Sequence, residues 1–333
     1  MNTISRIKAN GFCWIGDPHV SSVKPGTRND RDIISTSVGK LDQSVAIANE
    51  KNLIPLIAGD LFDINDDTKA LLLTRLIRSL NKCKHKAYEL LGNSHDKTEV
   101  TLTDDAALAI LREAGTLNVI EKSGFFLIIE LPNGKTIGVG ATPHGIEIPK
   151  DVVEERKQFG VDLVVWLTHH DLAFDGAYPG AIELFEIQGC DMVINGHMHL
   201  TKKAIVHGQT SWFNPGNILR QTKDTANHIP AVWLNEGLNR LIPVPLKYVE
   251  KVFDAVTNTI ATTPVHLATV SSNFSAMLKD YDMLKDENDN VAVTEDGSEI
   301  AKELNLLYEE KKVDKNVRLL LDSLLAASII DNI

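Results

Sequence analysis

Residues 53–63 read LIPLIAGDLFD. A short apolar run stops at Gly59 and places a carboxylate, Asp60, directly beyond its end, with Asp63 three residues further on. A run of this length, closed by a glycine turn, has the form of a buried strand. The form recurs along the chain. GFCWIGD (11–17) ends in Asp17, AYELLGN (87–93) in Asn93, DLVVWLTHH (162–170) in two histidines and DMVINGH (191–197) in His197. Between the early runs, stretches 31–50 and 67–81 carry apolar residues at three- and four-residue spacing, the pattern of amphipathic helices. Alternating β and α elements imply a layered α/β core.

A second pattern interrupts the first. FFLIIELPNGKTIGVGAT (125–142) is two β-rich runs joined by Asn133-Gly134, a hairpin signal. KKAIVHGQTSWFN (202–214) and PAVWLNEGLNRLIPVPLKY (230–248) have the same character. Antiparallel strands beside βα units predict an α/β fold of two sheets packed face to face and flanked by helices. The element order divides the chain into a main domain over 1–248 and a C-terminal appendage over 249–333. In the appendage, 272–287, 298–311 and 314–330 are predicted helices, joined by the polar stretch DENDNVAVTEDGS. Its last segment, VRLLLDSLLAASII, has too many apolar positions for a freely solvated helix.

Bulk properties narrow the class. The 333 residues are 43% hydrophobic and 24% charged, as in a globular protein large enough to bury a substantial core. No apolar run approaches the length of a membrane span, and no secretory signal is visible, so no membrane association and a cytoplasmic location are expected. Cys13, Cys83 and Cys190 are an odd number at wide spacings, which suits buried reduced thiols. The net charge of −11 is uneven: from Glu250 onward 16 acids face 8 bases, leaving −3 for the first 249 residues. Acidity of this kind argues against a general nucleic-acid coat, but not against an enzyme that holds a phosphodiester in a metal-neutralised cleft.

Chemistry-bearing groups accumulate at the strand ends. Asp17-Pro18-His19 pairs a carboxylate with an imidazole, and Asp60 and Asp63 add carboxylates on a glycine turn. Asn93 supplies an amide oxygen, Thr168-His169-His170 an imidazole, and Gly196-His197-Met198-His199 two more. Each piece alone is weak, since N-caps and turns use the same residues. Five such pieces in order, each after a predicted strand, are hard to attribute to chance. An oxygen-and-imidazole set of this size suits Mn, Fe or Zn better than Mg or Ca.

At these motifs, DPH, GDLFD, GNSHD, THH and GHMH, the chain resembles the calcineurin-like metallophosphoesterase superfamily over about residues 12–245. The resemblance implies the metallophosphatase sandwich with two divalent ions, manganese first among the candidates, at the strand C-termini. It implies that Asp17, His19, Asp60 and His199 hold one ion, with Asp60 bridging to a second held by Asn93, His169 and His197. His169 is taken over His170 because it immediately follows the apolar run, and its neighbour faces the other way. Two cations roughly 3.5–4 Å apart bind phosphate oxygens and lower the pKa of a water between them for in-line attack. His95 then protonates the leaving group or stabilises the transition state, and Asp96 fixes its tautomer.

One departure stands out. The family places the amide ligand and the histidine side by side, whereas here Ser94 separates them. Either Asn93 remains the ligand and the turn bulges, or Ser94 occupies the ligand position; Asn93, at the strand end beside a glycine, is the preferred choice. SWFNPGNILRQT (211–222) further resembles the Asn-Pro-Gly-Ser-x-x-Arg segment of SbcD-like DNA-repair exonucleases, with Asn217 in place of serine. RLIPVPLKY and GATPHG (140–145) fall where those enzymes have a closing strand and a loop near the site. That resemblance implies a DNA exo- or endonuclease subunit, with DNA as substrate, an SbcC-like coiled-coil ATPase as partner and a homodimer. The acidic tail would then be a reduced DNA cap or a partner-docking region. Lys24, Arg28 and Arg31 are candidate phosphate contacts, or plain surface charge. Two other functions compete: a small-molecule phosphodiesterase or nucleotidase, and a metal-binding interaction module without turnover.

Overall fold

The computed structural model describes residues 4–93, 95–96, 101–177, 179–237, 240–249 and 251–253. Ser94 and all but the first few residues of the expected C-terminal appendage lie outside these. Thirteen strands form two sheets among the described residues. The six-stranded sheet contains β2 (Phe12–Ile15), β3 (Ile54–Ile57), β4 (Ala87–Leu90), β5 (Leu117–Ile120), β12 (Ala231–Asn235) and β13 (Ile242–Pro245), in the order β13-β12-β2-β3-β4-β5. From β2 to β5 it is parallel, and β12 closes it antiparallel to β2.

The seven-stranded sheet contains β1 (Ser5–Lys8), β6 (Gly124–Glu130), β7 (Thr136–Thr142), β8 (Leu163–Thr168), β9 (Met192–Asn195), β10 (Ile205–His207) and β11 (Thr210–Phe213). Its order is β1-β6-β7-β8-β9-β11-β10, parallel from β7 through β9 to β11. The three predicted hairpins are present as the antiparallel pairs β6–β7, β10–β11 and β12–β13.

The sheets pack through Phe12, Trp14, Leu56 and Leu90 from one and Leu127, Val139, Val165 and Ile194 from the other, all inaccessible to solvent. Alternate residues of the same strands face outward, as the two-residue period requires. On the six-stranded side they meet α1 (Ile33–Lys51), α2 (Ala70–Leu80) and α3 (Ala107–Glu113). Helix α1 buries Ile34, Val38, Leu41, Val45 and Ala48, a stripe at three- and four-residue spacing. It starts at Asp32, whose side chain accepts from the Ser35 N–H at 3.0 Å, and stops where Asn52 turns left-handed at φ 55°.

The opposite face is covered differently. Its one helix among the described residues, α4 (Val153–Phe159), buries none of its residues, and the loops contributing Ile148, Leu172, Phe174 and Leu184 cover Val164, Trp166 and Val193 instead. Cys13 and Cys190 are buried and Cys83 half-buried, none in a disulfide. No helix of the described residues is long and apolar enough to cross a membrane.

Candidate metal centre

Parallel strands end on the same edge of a sheet, so β2, β3, β4, β8 and β9 bring their C-terminal loops together. These loops carry Asp17 and His19, Asp60, Asn93, His169, and His197 and His199. The gathering is tight. Ligand atoms of Asp17, His19 and His199 all lie within 4.8 Å of one another, as do those of Asp60, His169 and His197. Asn93 joins the second group, its amide 3.1 Å from His197 Nδ1 and its backbone N–H donating to Asp60 Oδ1 at 3.0 Å. A third group comprises His19, Asp63 and His95.

The backbone is strained where it meets these groups. Among the described residues four non-glycines have positive φ, and three of them are His19 (42°), Asp60 (49°) and His197 (70°). Such conformations cost about 1–3 kcal/mol each and persist only where surrounding contacts impose them. Two glycines give the room. A Cβ on Gly92 would collide with Asp60 Oδ1, and one on Gly196 with the Ala58 carbonyl, Asp17 Oδ1 and the His169 ring.

Burial and charge define the chemistry. Asp17, His19, Asp60 and His169 are each at most 1% exposed. His169 donates from Nδ1 to the Ala58 carbonyl at 2.8 Å, which turns Nε2 toward Asp60 Oδ2, 3.2 Å away but not hydrogen-bonded. Burial opposes a charge on this ring, yet the Asp60 and Asp17 carboxylates outweigh it and raise its pKa to about 9. Burial, and then the Asp60 charge against the help of His169, raises Asp17 to about 7. His199 is lowered to about 4 by burial, and His19 falls well below the usual range through burial and then His199. The Nε2 atoms of these two neutral rings face each other at 3.0 Å. Asp17 Oδ1, His19 Nδ1 and His169 Nε2 all lack hydrogen-bond partners.

Buried carboxylate and imidazole lone pairs aimed at one another need protons or cations between them. Their nitrogen and oxygen donors fit divalent transition ions. The backbone carbonyl on His169 Nδ1 is the kind of contact that fixes a ligating imidazole.

His170 is oriented away, its Nε2 hydrogen-bonded to the Ile146 carbonyl at 2.9 Å. His95 sits beside His19, with ring centroids 4.9 Å apart. The expected hydrogen bond from Asp96 to His95 gives way to another arrangement. His95 Nδ1 donates to the Asp63 carbonyl at 2.6 Å. Asp96 is buried beneath the site and accepts from the N–H groups of Asp60 (2.8 Å) and Gly92 (3.0 Å). It affects His95 through charge: burial lowers the imidazole pKa, and Asp60, Asp63 and Asp96 together more than reverse that.

Several residues here were given no role from sequence. The Asp63 carboxylate accepts from Gln221 at 2.6 Å and lies 3.6 Å from His19 Nδ1. Asp171 Oδ1 is 3.2 Å from His197 Nε2, and His144 packs its ring within 6.2 Å of His169, His170 and His197. Asp171 directly follows THH and His144 lies in GATPHG, so adjacency to a motif was the available signal.

A cleft of about 360 Å³ opens onto Asp60, Asn93, His95, His197 and His199. Leu172, Met198 and Leu200 form apolar wall, while Asp171, Asp224 and Lys202 supply the charged rim.

No family model matches the sequence, and no curated protein matches it. Among solved structures the chain is similar to a 5′-nucleotidase precursor from Thermus thermophilus, at 15% identity over 62% of this chain and 44% of that one, with a TM-score of 0.35. It is also similar to an NAD nucleotidase from Haemophilus influenzae, at 13% identity over 71% of this chain and 50% of that one, with a TM-score of 0.41. The chain thus spans about half the length of these two structures or less.

Proposed function

We propose that the chain is a metal-dependent phosphoesterase acting on a small phosphoester. The observation that carries the proposal is the pair of ligand groups, Asp17-His19-His199 and Asp60-His169-His197, reaching one cleft through His199, Asp60 and His197, with His95 beside them. Two divalent cations bound there would polarise phosphate oxygens and lower the pKa of an attacking water. The chain's residues do the rest. Asp60 has its carboxylate oxygens facing the Asn93 N–H and His169, which anchors it within the second group. His95, held through Nδ1 by the Asp63 carbonyl, presents Nε2 as a proton donor for the leaving oxygen.

The rim favours a small substrate. Among the described lining residues Lys202 is the single lysine or arginine, against Asp171 and Asp224, and its Nζ donates to the Asp175 carbonyl at 2.8 Å. A DNA backbone crossing such a rim would meet little positive charge. The neighbouring structures' names, both nucleotidases, point toward the same substrate class without adding weight to it.

The deciding assay compares AMP and bis-p-nitrophenyl phosphate with linear single- and double-stranded DNA, in Mn(II), with Asp60→Asn and His197→Ala alongside. Turnover of a small ester, lost in both variants and without DNA digestion, is expected. Digestion of DNA would move the assignment to an SbcD-like nuclease. Bound metal without turnover of any substrate would leave an interaction module.

A further inference from the structure

The turn Asn214-Pro215-Gly216-Asn217 follows β11, and none of its residues lines the metal cleft. It grips the loop that carries His199. Asn214 Nδ2 donates to the Met198 carbonyl at 2.7 Å and to the Leu200 carbonyl at 2.9 Å, and the Asn217 N–H donates to the His199 carbonyl between them at 3.1 Å. The Thr201 hydroxyl donates to the Pro215 carbonyl at 2.7 Å, and the Lys202 N–H to the Asn214 carbonyl at 2.9 Å. Every residue from 198 to 202 is thereby fixed to one turn. The approach is close enough to require glycine: Gly216 has φ 80°, and a Cβ there would stand 2.7 Å from the His199 carbonyl oxygen and 2.8 Å from the Thr201 nitrogen.

The same turn reaches two more ligand-bearing segments. Just beyond it, the Ile218 N–H donates to the Gly16 carbonyl at 2.9 Å, directly before Asp17. Asn214 Oδ1 accepts from Asn195 Nδ2 at 2.9 Å, and that Nδ2 also donates to the His170 carbonyl at 3.0 Å. Asn195 Oδ1 in turn accepts from the His170 N–H at 3.0 Å and the Thr168 hydroxyl at 2.9 Å, so His169 lies between two residues held by one side chain. Both asparagines are at most 1% exposed, and every amide hydrogen and oxygen of the pair has a partner. A buried polar network satisfied in this way holds its members in one arrangement.

We propose that Asn195 and Asn214 are positioning residues that fix the Asp17-His19-His199 group relative to the Asp60-His169-His197 group, so that two divalent ions bind at a preset spacing. The inference rests on the metal-dependent reading of the cleft and deepens it. Neither amide belongs to a ligand group; both act through the backbone on either side of His169 and His199. Loops already held in the binding arrangement need no ordering when an ion enters, which leaves more of the interaction energy as affinity. A pair that merely closed the strand ends would contribute stability and leave metal affinity alone.

The test titrates the full chain with Mn(II), follows the free ion by electron paramagnetic resonance well below the melting temperature, and assays turnover of AMP and bis-p-nitrophenyl phosphate in the same samples. Wild type, Asn195→Ala, Asn214→Ala, the double variant and Thr210→Val are compared. Thr210 is the control: it sits on β11 at the end away from Asn214, buried and hydrogen-bonded to the Ile187 backbone and the Cys190 carbonyl. Wild type should bind two ions. Each alanine variant should bind one of them about 10–100-fold more weakly, the loss seen when partners of metal ligands are removed. The double variant should lie within about 3-fold of the worse single variant, because one substitution already breaks the link. Thr210→Val should melt lower and keep both affinities. If an alanine variant does not fold, serine at the same position keeps one hydroxyl and should weaken the same ion by a smaller factor. Wild-type affinities in the folded Asn195 and Asn214 variants would overturn the inference, and losses that multiply in the double variant would refute a linked pair. Altered affinities without ester turnover by wild type would sink the hydrolase reading and leave the pair in place; wild type that binds no ion would overturn both.

Discussion

Replacing Asp96 by alanine isolates the support beneath the metal centre. The Asp96 carboxylate is inaccessible to solvent and accepts two backbone N–H groups, Asp60 at 2.8 Å and Gly92 at 3.0 Å, thereby tying the turn after β3 to the turn after β4. A third N–H, that of Phe62, lies at 3.5 Å and contributes little. Alanine leaves two buried donors unsatisfied at about 1–3 kcal/mol each, hence about 2–6 kcal/mol in all. A water entering the vacated space would bring the loss toward the lower end, about 3 kcal/mol. Asparagine differs, because its one carbonyl oxygen can replace Oδ2 and keep both N–H groups, so Asp96→Asn should lose no more than about 1 kcal/mol. Urea unfolding of metal-free protein, followed by circular dichroism, measures both. With a slope of about 3 kcal/mol/M, Asp96→Ala should lower the midpoint by about 1 M, and Asp96→Asn by about a third of that. An alanine variant within about 0.5 kcal/mol of wild type would refute the reasoning, since surface substitutions alone vary by that much. Equal losses for alanine and asparagine would show that the carboxylate's charge matters, not its acceptor geometry.

Two further outcomes follow from neighbouring groups. Asp171 holds His197 Nε2 at 3.2 Å, leaving Nδ1 to face Asn93. Asp171→Asn should weaken one of two Mn(II) binding events about 10-fold, the lower end for partners of ligating histidines because Asp171 is partly exposed; equilibrium dialysis that finds both affinities unchanged would remove Asp171 from the site. Glu89 is inaccessible to solvent, neither of its oxygens has a hydrogen-bond partner, and burial, followed by the charges of Asp96, Asp60 and Asp17, raises its pKa well above the ordinary value. A carboxyl raised in the folded state contributes stability below its unfolded pKa that is lost as pH climbs toward the folded one. Metal-free wild type should therefore lose melting temperature between pH 5 and pH 8, and Glu89→Gln should lose less; an identical pH dependence in the two would refute this account.

The parts of the fold legible in the sequence were those whose pattern local physics controls. LIPLIAGD and DMVINGH are covered on both faces, so their apolar runs are unbroken, and Asn133-Gly134 marks its hairpin because glycine accepts the left-handed turn at φ 82°. Strand β1, SRIK, escaped notice because it lies at a sheet edge with polar, largely exposed residues. Strand β5, LNVI, and helix α4, which buries nothing, lack a periodic signal for similar reasons. In the site, strand order announced which residues approach one another. It could not announce that the Asp63 carbonyl holds His95 while Asp96 grips two backbone N–H groups, because both choices depend on how the turns fold. Nor could it separate Arg28 from the metal cleft: sequence proximity to Asp17-Pro18-His19 suggested phosphate contact there, whereas the chain carries the side chain away to Asp30 and the Arg220 carbonyl.

The metal centre concentrates several unfavourable features that one kind of ligand would relieve together. Asp17, Glu89 and Asp96 are pushed toward protonation by burial and by the Asp60 carboxylate, and His169 takes up a proton from the same field. His19, Asp60 and His197 hold positive φ values that cost energy. A cation between Asp60 and His169 would replace the imidazole proton, and one beside His19 and His199 would replace the hydrogen bond between their rings. Two carboxylates away from the site behave in the opposite way. Asp30, paired with Arg28, and Asp162, held by the Thr136 backbone and hydroxyl, are both shifted downward, overcoming burial in the first case through the Arg28 hydrogen bond. Within the site, burial likewise opposes the Asp60 charge, but His169 outweighs it and Asp60 is lowered, while Asp17 and the support beneath Asp60 are raised. An ionised Asp60 held beside raised Asp17 and Asp96 is the arrangement of a site prepared for added positive charge, and it rests on contacts independent of any likeness to other proteins.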